Sequence, residues 1–379
     1  MIGGGLGGLI GRGHRYAMRL DDSFDLVAGA FSSTAERSKA SAEALGIPGS
    51  RAYADWREML ACESRLPENE RIDVVAIVTP NYLHCEQALA SLQSGFHVIC
   101  DKPLGVNLEE VTKVGAVARE SGKVFVLTHN YSGYPLVRHA RQMVRDGEIG
   151  DIRVVQVEYV QDWLCEAIEG QGHKQAAWRQ DPKQAGPGGA LGDIGTHAYQ
   201  LATFITGLRA ETLYADLSSF VGGRALDDNA NVLLRYPSGA KGILWASQVA
   251  PGNENALRIR IFGSKGGITW AQEDPNRLEF TPLGQPTRTV TRSSQAVGAD
   301  GAYATRVPTG HPEGWIEGFA QIYSDAAELI MARLENRDPD PRAGHLPTAE
   351  DGEDGMRFVL AAVQSHTQDR WIRLEDIAS

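Results

Sequence analysis

Five consecutive apolar residues, Val74-Val75-Ala76-Ile77-Val78, have the length and the β-branched character of a strand buried on both faces. They sit in a regular alternation that limits the folds open to the chain. A helical pattern through Tyr16, Met18 and Leu20 leads to a strand expected at 24–31, then to a helix around 35–45 and a segment at 56–62. After 74–78 come a helix at 84–93, a strand at 97–100, a helix at 108–120 and a strand at 124–127. Apolar strands separated by amphipathic helices pair in parallel, because each connection must cross over the sheet. The expectation is a doubly wound α/β domain. With 379 residues there is room for a second domain, and the division expected is 1–129 and 130–379.

The chain opens Met1-Ile2-Gly3-Gly4-Gly5-Leu6-Gly7-Gly8-Leu9-Ile10-Gly11. Gly3, Gly5 and Gly8 fit G-x-G-x-x-G, and a slightly longer loop closing at Gly11 fits as well. Such a turn bares backbone N–H groups at a helix N-terminus, where a pyrophosphate binds. Only Met1 and Ile2 precede the glycines, so the first strand is either stunted or begins upstream of the recorded start. Past the second strand, where a dinucleotide site carries an acid for the adenine ribose, stand Ser32, Ser33 and Thr34, then Glu36 and Arg37. Hydroxyls followed by arginine lean toward the 2′-phosphate of NADP; Glu36 within reach of a ribose leaves NAD open.

Two more strand ends carry polar residues at the edge where open α/β sheets bind ligands: Thr79-Pro80-Asn81-Tyr82-Leu83-His84, and Asp101-Lys102-Pro103. Further on, Gly188-Gly189-Ala190-Leu191-Gly192-Asp193-Ile194-Gly195-Thr196-His197 reads as a glycine-rich approach to a helix with Asp193 and His197 four residues apart. On one helix face a carboxylate can orient an imidazole, the side chain suited to moving protons near neutral pH. A structural histidine in a capped helix has the same spacing.

Together, in this order and at these spacings, the motifs resemble those of the glucose–fructose oxidoreductase / inositol dehydrogenase / rhizopine-catabolism (Gfo/Idh/MocA) family of nicotinamide-dependent oxidoreductases. The resemblance covers nearly the whole chain. It implies a Rossmann domain followed by an α+β domain with a large open, mostly antiparallel sheet, and a Lys-Pro bond that is often cis. It implies Lys102, Asp193 and His197 as catalytic residues. Gly3, Gly5, Gly8, Gly11, Ser32, Ser33, Arg37, Thr79, Pro80, Asn81, His84, Asp101, Lys102 and Asn130 would then meet the cofactor, NAD or NADP. Two departures stand out. Asp101 replaces the usual glutamate and is one methylene shorter, and Gln200 stands where an acid is common. The implied reaction is hydride transfer to or from a secondary hydroxyl of a sugar, glycoside or cyclitol. Glycoside cleavage through transient oxidation, and a non-catalytic nucleotide or sugar sensor, are the alternatives.

The second half alternates in the manner of an antiparallel sheet, with strands expected at 152–160, 213–220, 230–236, 242–248, 256–262 and 267–270. Tyr131, Gln161-Asp162-Trp163 and Trp178-Arg179 combine aromatic faces with amides and charges, as a pyranose ring requires. Residues 282–314 read as a long loop that brings His311 near the substrate, before a helix at 315–334. A last helix, about 351–364, is expected to pack back on the first domain. Asp227-Asp228-Asn229 reads as turn chemistry. A net charge of −11 argues against binding nucleic acid or an anionic membrane. Four cysteines without paired ligand spacing point to no metal and to a reducing, cytoplasmic setting. A homodimer or homotetramer is implied by the resemblance.

Overall fold

Apolar runs become strands, and the residues that punctuate them become caps. The computed structural model describes residues 1–171 and 174–378. The chain forms two compact units: Met1–Asn130 with Phe319–Glu353, and Tyr131–Gly318 with the residues from Asp354 onward.

In the first unit β1 (Ile2–Gly3), β2 (Val74–Val78), β3 (His97–Cys100) and β4 (Phe125–Leu127) form one sheet in that order. Every pair is parallel. The helices are α1 (Leu9–Leu20), α2 (Ala35–Ala44), α3 (Trp56–Glu63), α4 (His84–Gln93) and α5 (Leu108–Ser121). Local chemistry starts and stops them. The Asp55 side chain accepts from Arg57 N at 2.8 Å and that of Asn107 from Glu110 N at 2.9 Å, each supplying a missing acceptor at a helix start. Gly122 closes α5 at φ +64°. Val75, Ile77, Val98 and Leu127 are completely buried, and each side chain contributes about 1.5–3 kcal/mol of hydrophobic stabilisation.

The strand expected at 24–31 is not formed as such. It shrinks to isolated parallel bridges, Ile2 to Ala30 and Gly29 to Ala52. Its neighbour β1 offers two residues for pairing, so the apolar pattern through 24–28 has no ladder to join. Residues 319–353, which the sequence pattern placed in the second domain, group with the first unit. Phe319 and Tyr323 set their rings edge-on to His14, at 5.1 and 5.8 Å. Pro347 C=O accepts from Leu127 N at 2.9 Å along the open edge of β4. Helical periodicity shows that a face is buried, not which sheet buries it.

In the second unit α6 (Pro135–Arg145) precedes β5 (Ile152–Val160), followed by two short helices, α7 (Lys174–Arg179) and α8 (Pro182–Ala185), and by α9 (Thr196–Thr206). Then come β6 (Thr212–Ser218), β7 (Asn229–Arg235), β8 (Lys241–Ser247), β9 (Ala256–Gly263), β10 (Gly266–Ala271), β11 (Arg277–Pro282) and β12 (Arg288–Thr291). The chain continues through α10 (Ala299–Tyr303), α11 (Trp315–Leu334), α12 (Ala349–Gln368) and β13 (Ile372–Arg373). The sheet order is β12-β11-β10-β9-β5-β8-β7-β6-β13. Only β5 and β8 pair in parallel; the other neighbours are antiparallel. One face carries α9, packed on β5 and β8. Opposite it Leu233, Ile243 and Phe262 are between 41% and 47% exposed.

The long loop expected at 282–314 contains β12 and α10. Its polar composition hid a two-sided edge strand, which pairs with β11 from Arg277–Thr291 to Phe280–Arg288. The remainder is fastened by a buried ion pair. Arg292 Nη1 lies 2.7 Å from Glu313 Oε1, both side chains being 2% exposed. The same carboxylate oxygen accepts from Arg306 N at 2.7 Å and Val307 N at 2.9 Å. His311 is exposed, and its C=O accepts from Arg292.

Removing one partner of a buried ion pair strands the other. Glu313→Ala is therefore expected to destabilise the protein by about 3–5 kcal/mol, read as a lowered midpoint in urea.

Candidate functional site

The turn from β1 into α1 is built from bare backbone. Gly3 has φ +73°, and a Cβ on it would stand 2.2 Å from Val78 C=O. A Cβ on Gly5 would stand 2.7 Å from Phe31 C=O. On Gly11 it would lie 2.4 Å from Gly4 Cα, inside contact distance of the neighbouring chain. Gly8 differs: its nearest neighbour would be 3.8 Å away. The longer fingerprint closing at Gly11 is thus the one that packing requires, while Gly8 serves as the α1 N-cap with no side-chain cap bond. The first turn of α1 contains no acid. A side-chain-free helix start with unshielded N–H groups suits a pyrophosphate.

The strand ends of the same unit gather ionisable groups. Asp101 Oδ1 accepts from Thr128 Oγ1 at 2.8 Å and from Lys102 N at 3.0 Å. His14 Nε2 stands 3.9 Å away, and its Nδ1 is 2.7 Å from Tyr323 Oη. Burial disfavours ionisation of Asp101, but His14, His84 and Lys102 outweigh it and hold its pKa at about 2. His129 goes the other way: burial, reinforced by the charge of Lys102, lowers it to about 3, so it is neutral at physiological pH. The Lys102-Pro103 bond is cis. Thr79 is half-buried, its Oγ1 donating to Gln87 Oε1 at 2.7 Å; Pro80 is exposed and Asn81 buried. Asn130 Nδ2 is buried with no hydrogen-bond partner. Ser32 is half-exposed, and Ser33 and Arg37 are exposed. A glycine cradle that a Cβ would block and an unspent buried amide fit a dinucleotide.

In the second unit a polar network surrounds His197, which is 7% exposed. The Tyr131 ring meets the imidazole edge-on at 4.9 Å, and Tyr159 lies at 6.1 Å. The two phenol oxygens are 2.6 Å apart. Tyr159 Oη donates to Asn255 Oδ1 at 2.8 Å, and Gln161 Nε2 donates to that same oxygen at 2.7 Å. Gln161 Oε1 accepts from Trp163 Nε1 at 3.0 Å. Gln248 Nε2 donates to Asp193 Oδ2 at 3.0 Å, as does Arg179 Nε at 2.9 Å. The Arg179 guanidinium lies 4.3 Å from the Trp178 ring centroid and 5.9 Å from that of Trp163. Tyr131, Gln161, Trp163, Trp178, Arg179, Asp193 and His197 thus form one connected group.

Two expected substrate residues lie outside these contacts. Asp162 Oδ2 accepts from Gly252 N at 3.2 Å and secures a turn. His311 is exposed on the strap beside Arg292; a histidine next to proline and glycine reads alike in a mouth or a fastening.

Asp193 does not open a regular α-helix. Residues Leu191–Gly195 form a π-turn, in which Thr196 N bonds back to Leu191 C=O, and α9 starts after it. Such wide turns recur at functional sites. The distortion is held by Asp227, whose carboxylate accepts from Gly189 N at 2.7 Å and Leu191 N at 2.8 Å while its C=O accepts from Ala190 N at 2.9 Å. Burial pushes the Asp227 pKa up and the backbone donors pull it back. A Cβ on Gly189 would lie 2.0 Å from the Asp227 oxygen, which accounts for glycine there. Sequence reasoning saw Asp227 only as turn chemistry, and it missed Tyr159, Gln248, Asn255, His14 and His129. Alternation marked Tyr159 as inward; nothing local marked the others.

Comparison with known proteins finds matches in both units. The profile described as oxidoreductase family, NAD-binding Rossmann fold, matches residues 1–129, and that of the GFO/IDH/MocA C-terminal domain matches 137–269. The oxidoreductase YfiI of Bacillus subtilis is 37% identical over 99% of this chain and 96% of its own. A crystal structure of an oxidoreductase from Sinorhizobium meliloti is 49% identical, with a TM-score of 0.88 over 98% of both chains. An inositol dehydrogenase homolog from Azotobacter vinelandii, complexed with NADH and myo-inositol, is 34% identical, with a TM-score of 0.90 over 98% of this chain and 96% of that one.

The glycine geometry has a measurable consequence. Gly11→Ala forces a methyl group into Gly4, so it should cost about 1–3 kcal/mol of stability by thermal denaturation and weaken NADH binding in fluorescence titration. Gly8→Ala, with open space around it, should cost less than about 1 kcal/mol.

Proposed function

Because the chain belongs to the Gfo/Idh/MocA family of NAD-dependent oxidoreductases, we propose that it transfers hydride between a nicotinamide cofactor and a secondary hydroxyl or ketone of a sugar, glycoside or cyclitol. The carrying observation is the network around His197. Phenols, carboxamides and an indole N–H supply alternating donors and acceptors with little net charge, which matches a ring of neighbouring hydroxyls. The bound nicotinamide supplies the hydride acceptor.

In this reading His197 takes the hydroxyl proton, its ring plane fixed by Tyr131 and Tyr159. The carboxylate of Asp193, anchored by Arg179 and Gln248, favours the imidazolium that results. Lys102 donates to the reacting oxygen and stabilises its alkoxide character. Asp101, ionised and held by Thr128, faces the nicotinamide ribose. Ser32, Ser33 and Arg37 are the residues this reading assigns to the adenine ribose. They accept a 2′-phosphate as well as a 2′-hydroxyl, so NADP is expected to serve alongside NAD. The apolar residues Leu233, Ile243 and Phe262 make the outer sheet face the surface for a homodimer or homotetramer.

Incubation with NAD⁺ or NADP⁺ and a panel of myo-inositol, free hexoses and aryl glycosides tests the proposal. Steady formation of reduced cofactor supports it. Aglycone release without net reduction points to the oxidation-assisted cleavage reading, and binding without either outcome overturns catalysis.

Lys102→Met and His197→Ala should each lower kcat by about 10²–10⁴-fold, while NADH affinity changes little. Arg37→Ala should weaken NADP⁺ binding by about tenfold, the loss of one charge-assisted contact, and leave NAD⁺ nearly unaffected.

A further inference from the structure

His84 begins α4 and is 1% exposed. Its Nδ1 lies 2.7 Å from Pro103 C=O and its Nε2 lies 2.8 Å from Thr79 C=O. Both partners are carbonyl oxygens with no proton to give. A neutral imidazole has a single N–H, so one of these contacts would set a nitrogen lone pair against an oxygen lone pair at hydrogen-bonding distance. Two donors at once require the doubly protonated ring. Burial, joined by the charge of Lys102, lowers the His84 pKa from its ordinary value, while Asp101 and the two carbonyls pull it back up; it is the pair of acceptors, not the burial, that calls for the cation. The acidic residue of the same helix turn, Glu86, is exposed and paired with Arg57.

The two carbonyls belong to different strand ends. Thr79 follows β2, and Pro103 follows Lys102 at the end of β3. The ring therefore bridges the loop that leaves one strand and the turn that presents the lysine. The sequence pattern suggested that His84 lines the cofactor cleft, but both of its nitrogens are spent on backbone.

We propose that His84 is an imidazolium that acts as the positioning residue for Lys102, fastening the Lys102-Pro103 turn to Thr79 without touching cofactor or substrate. This inference rests on the role given to Lys102 above. A charged double donor at this point fixes the lysine's main chain against the sheet edge, where a displacement of about 1 Å costs on the order of a hundredfold in rate.

Ring-nitrogen NMR of the ¹⁵N-histidine-labelled protein, without cofactor, reads the first half. Two protonated nitrogens on His84 at neutral pH are expected; a single protonated nitrogen overturns the imidazolium. Kinetics read the second half, with NAD⁺ and myo-inositol or whichever panel member turns over. His84→Gln, which puts a single amide nitrogen in place of two separated ring donors, should lower kcat by about ten- to a hundredfold, with the KM for NAD⁺ and NADH binding within about threefold. In the Lys102→Met background the same change should add almost nothing. Multiplicative losses, or a rise in KM with kcat unchanged, overturn positioning. His84→Asn is the second variant should the first fold poorly, with the same expected pattern. If Lys102→Met alone leaves turnover intact, the proposed role of Lys102 fails, whereas the NMR result still judges the protonation of His84.

Discussion

Buried ionisable side chains in this protein grip main chain, and the chemistry-bearing segments lie next to those grips. A charge withdrawn from water must have its hydrogen bonds satisfied nearly in full. When the partners are backbone groups, the charge also fixes where a loop runs. Asp227 accepts from Gly189 and Leu191 and so imposes the wide turn that carries Asp193 ahead of His197. His84 spans Thr79 and Pro103, on either side of the segment presenting Lys102. Glu313 does the same for Arg306 and Val307. Glu63, completely buried, accepts from Ile72 N at 3.2 Å and from the Tyr53 hydroxyl at 2.8 Å. None of these carboxylates or rings needs to meet a ligand to matter for one.

The contrast between the units follows from what each has to recognise. The first offers glycines and a helix start, groups that read the charge and shape of a phosphate rather than its neighbours. The second offers side chains that both donate and accept, joined from Tyr131 through Asn255 and Gln161. Amides in such a chain are oriented by one another, so each presents a fixed face.

Much of this was legible in the sequence, and what was not has definite causes. Short, mainly apolar runs located 74–78 and 97–100 to the residue, because a buried parallel strand admits a polar side chain only where it finds a partner, as His97 does in Val124 N. The region at 24–31 has the same appearance, yet its partner strand is too short to extend it; pairing is a property of two segments. Asp193 and His197 were found by spacing, but the π-turn that carries Asp193 depends on Asp227, more than thirty residues later. His84 was singled out by its motif, but its two backbone partners were not foreseen, since a motif does not say which way a ring faces. Asn255 and Gln248 carry no signature at all. They are ordinary amides placed by strand ends.

Residues 319–353 belong to the first unit although nearly two hundred residues of the second precede them. Ala349 lies in the apolar core of the first sheet, and Pro347 covers the edge of β4. As the chain leaves the ribosome, the opening 130 residues must therefore wait, with a sheet edge unpaired and part of their core open, until the intervening domain has been made. That interval is when unpaired strands and bare apolar surface invite association with other chains. The order of synthesis thus ties the completion of the nucleotide fold to the arrival of its last third.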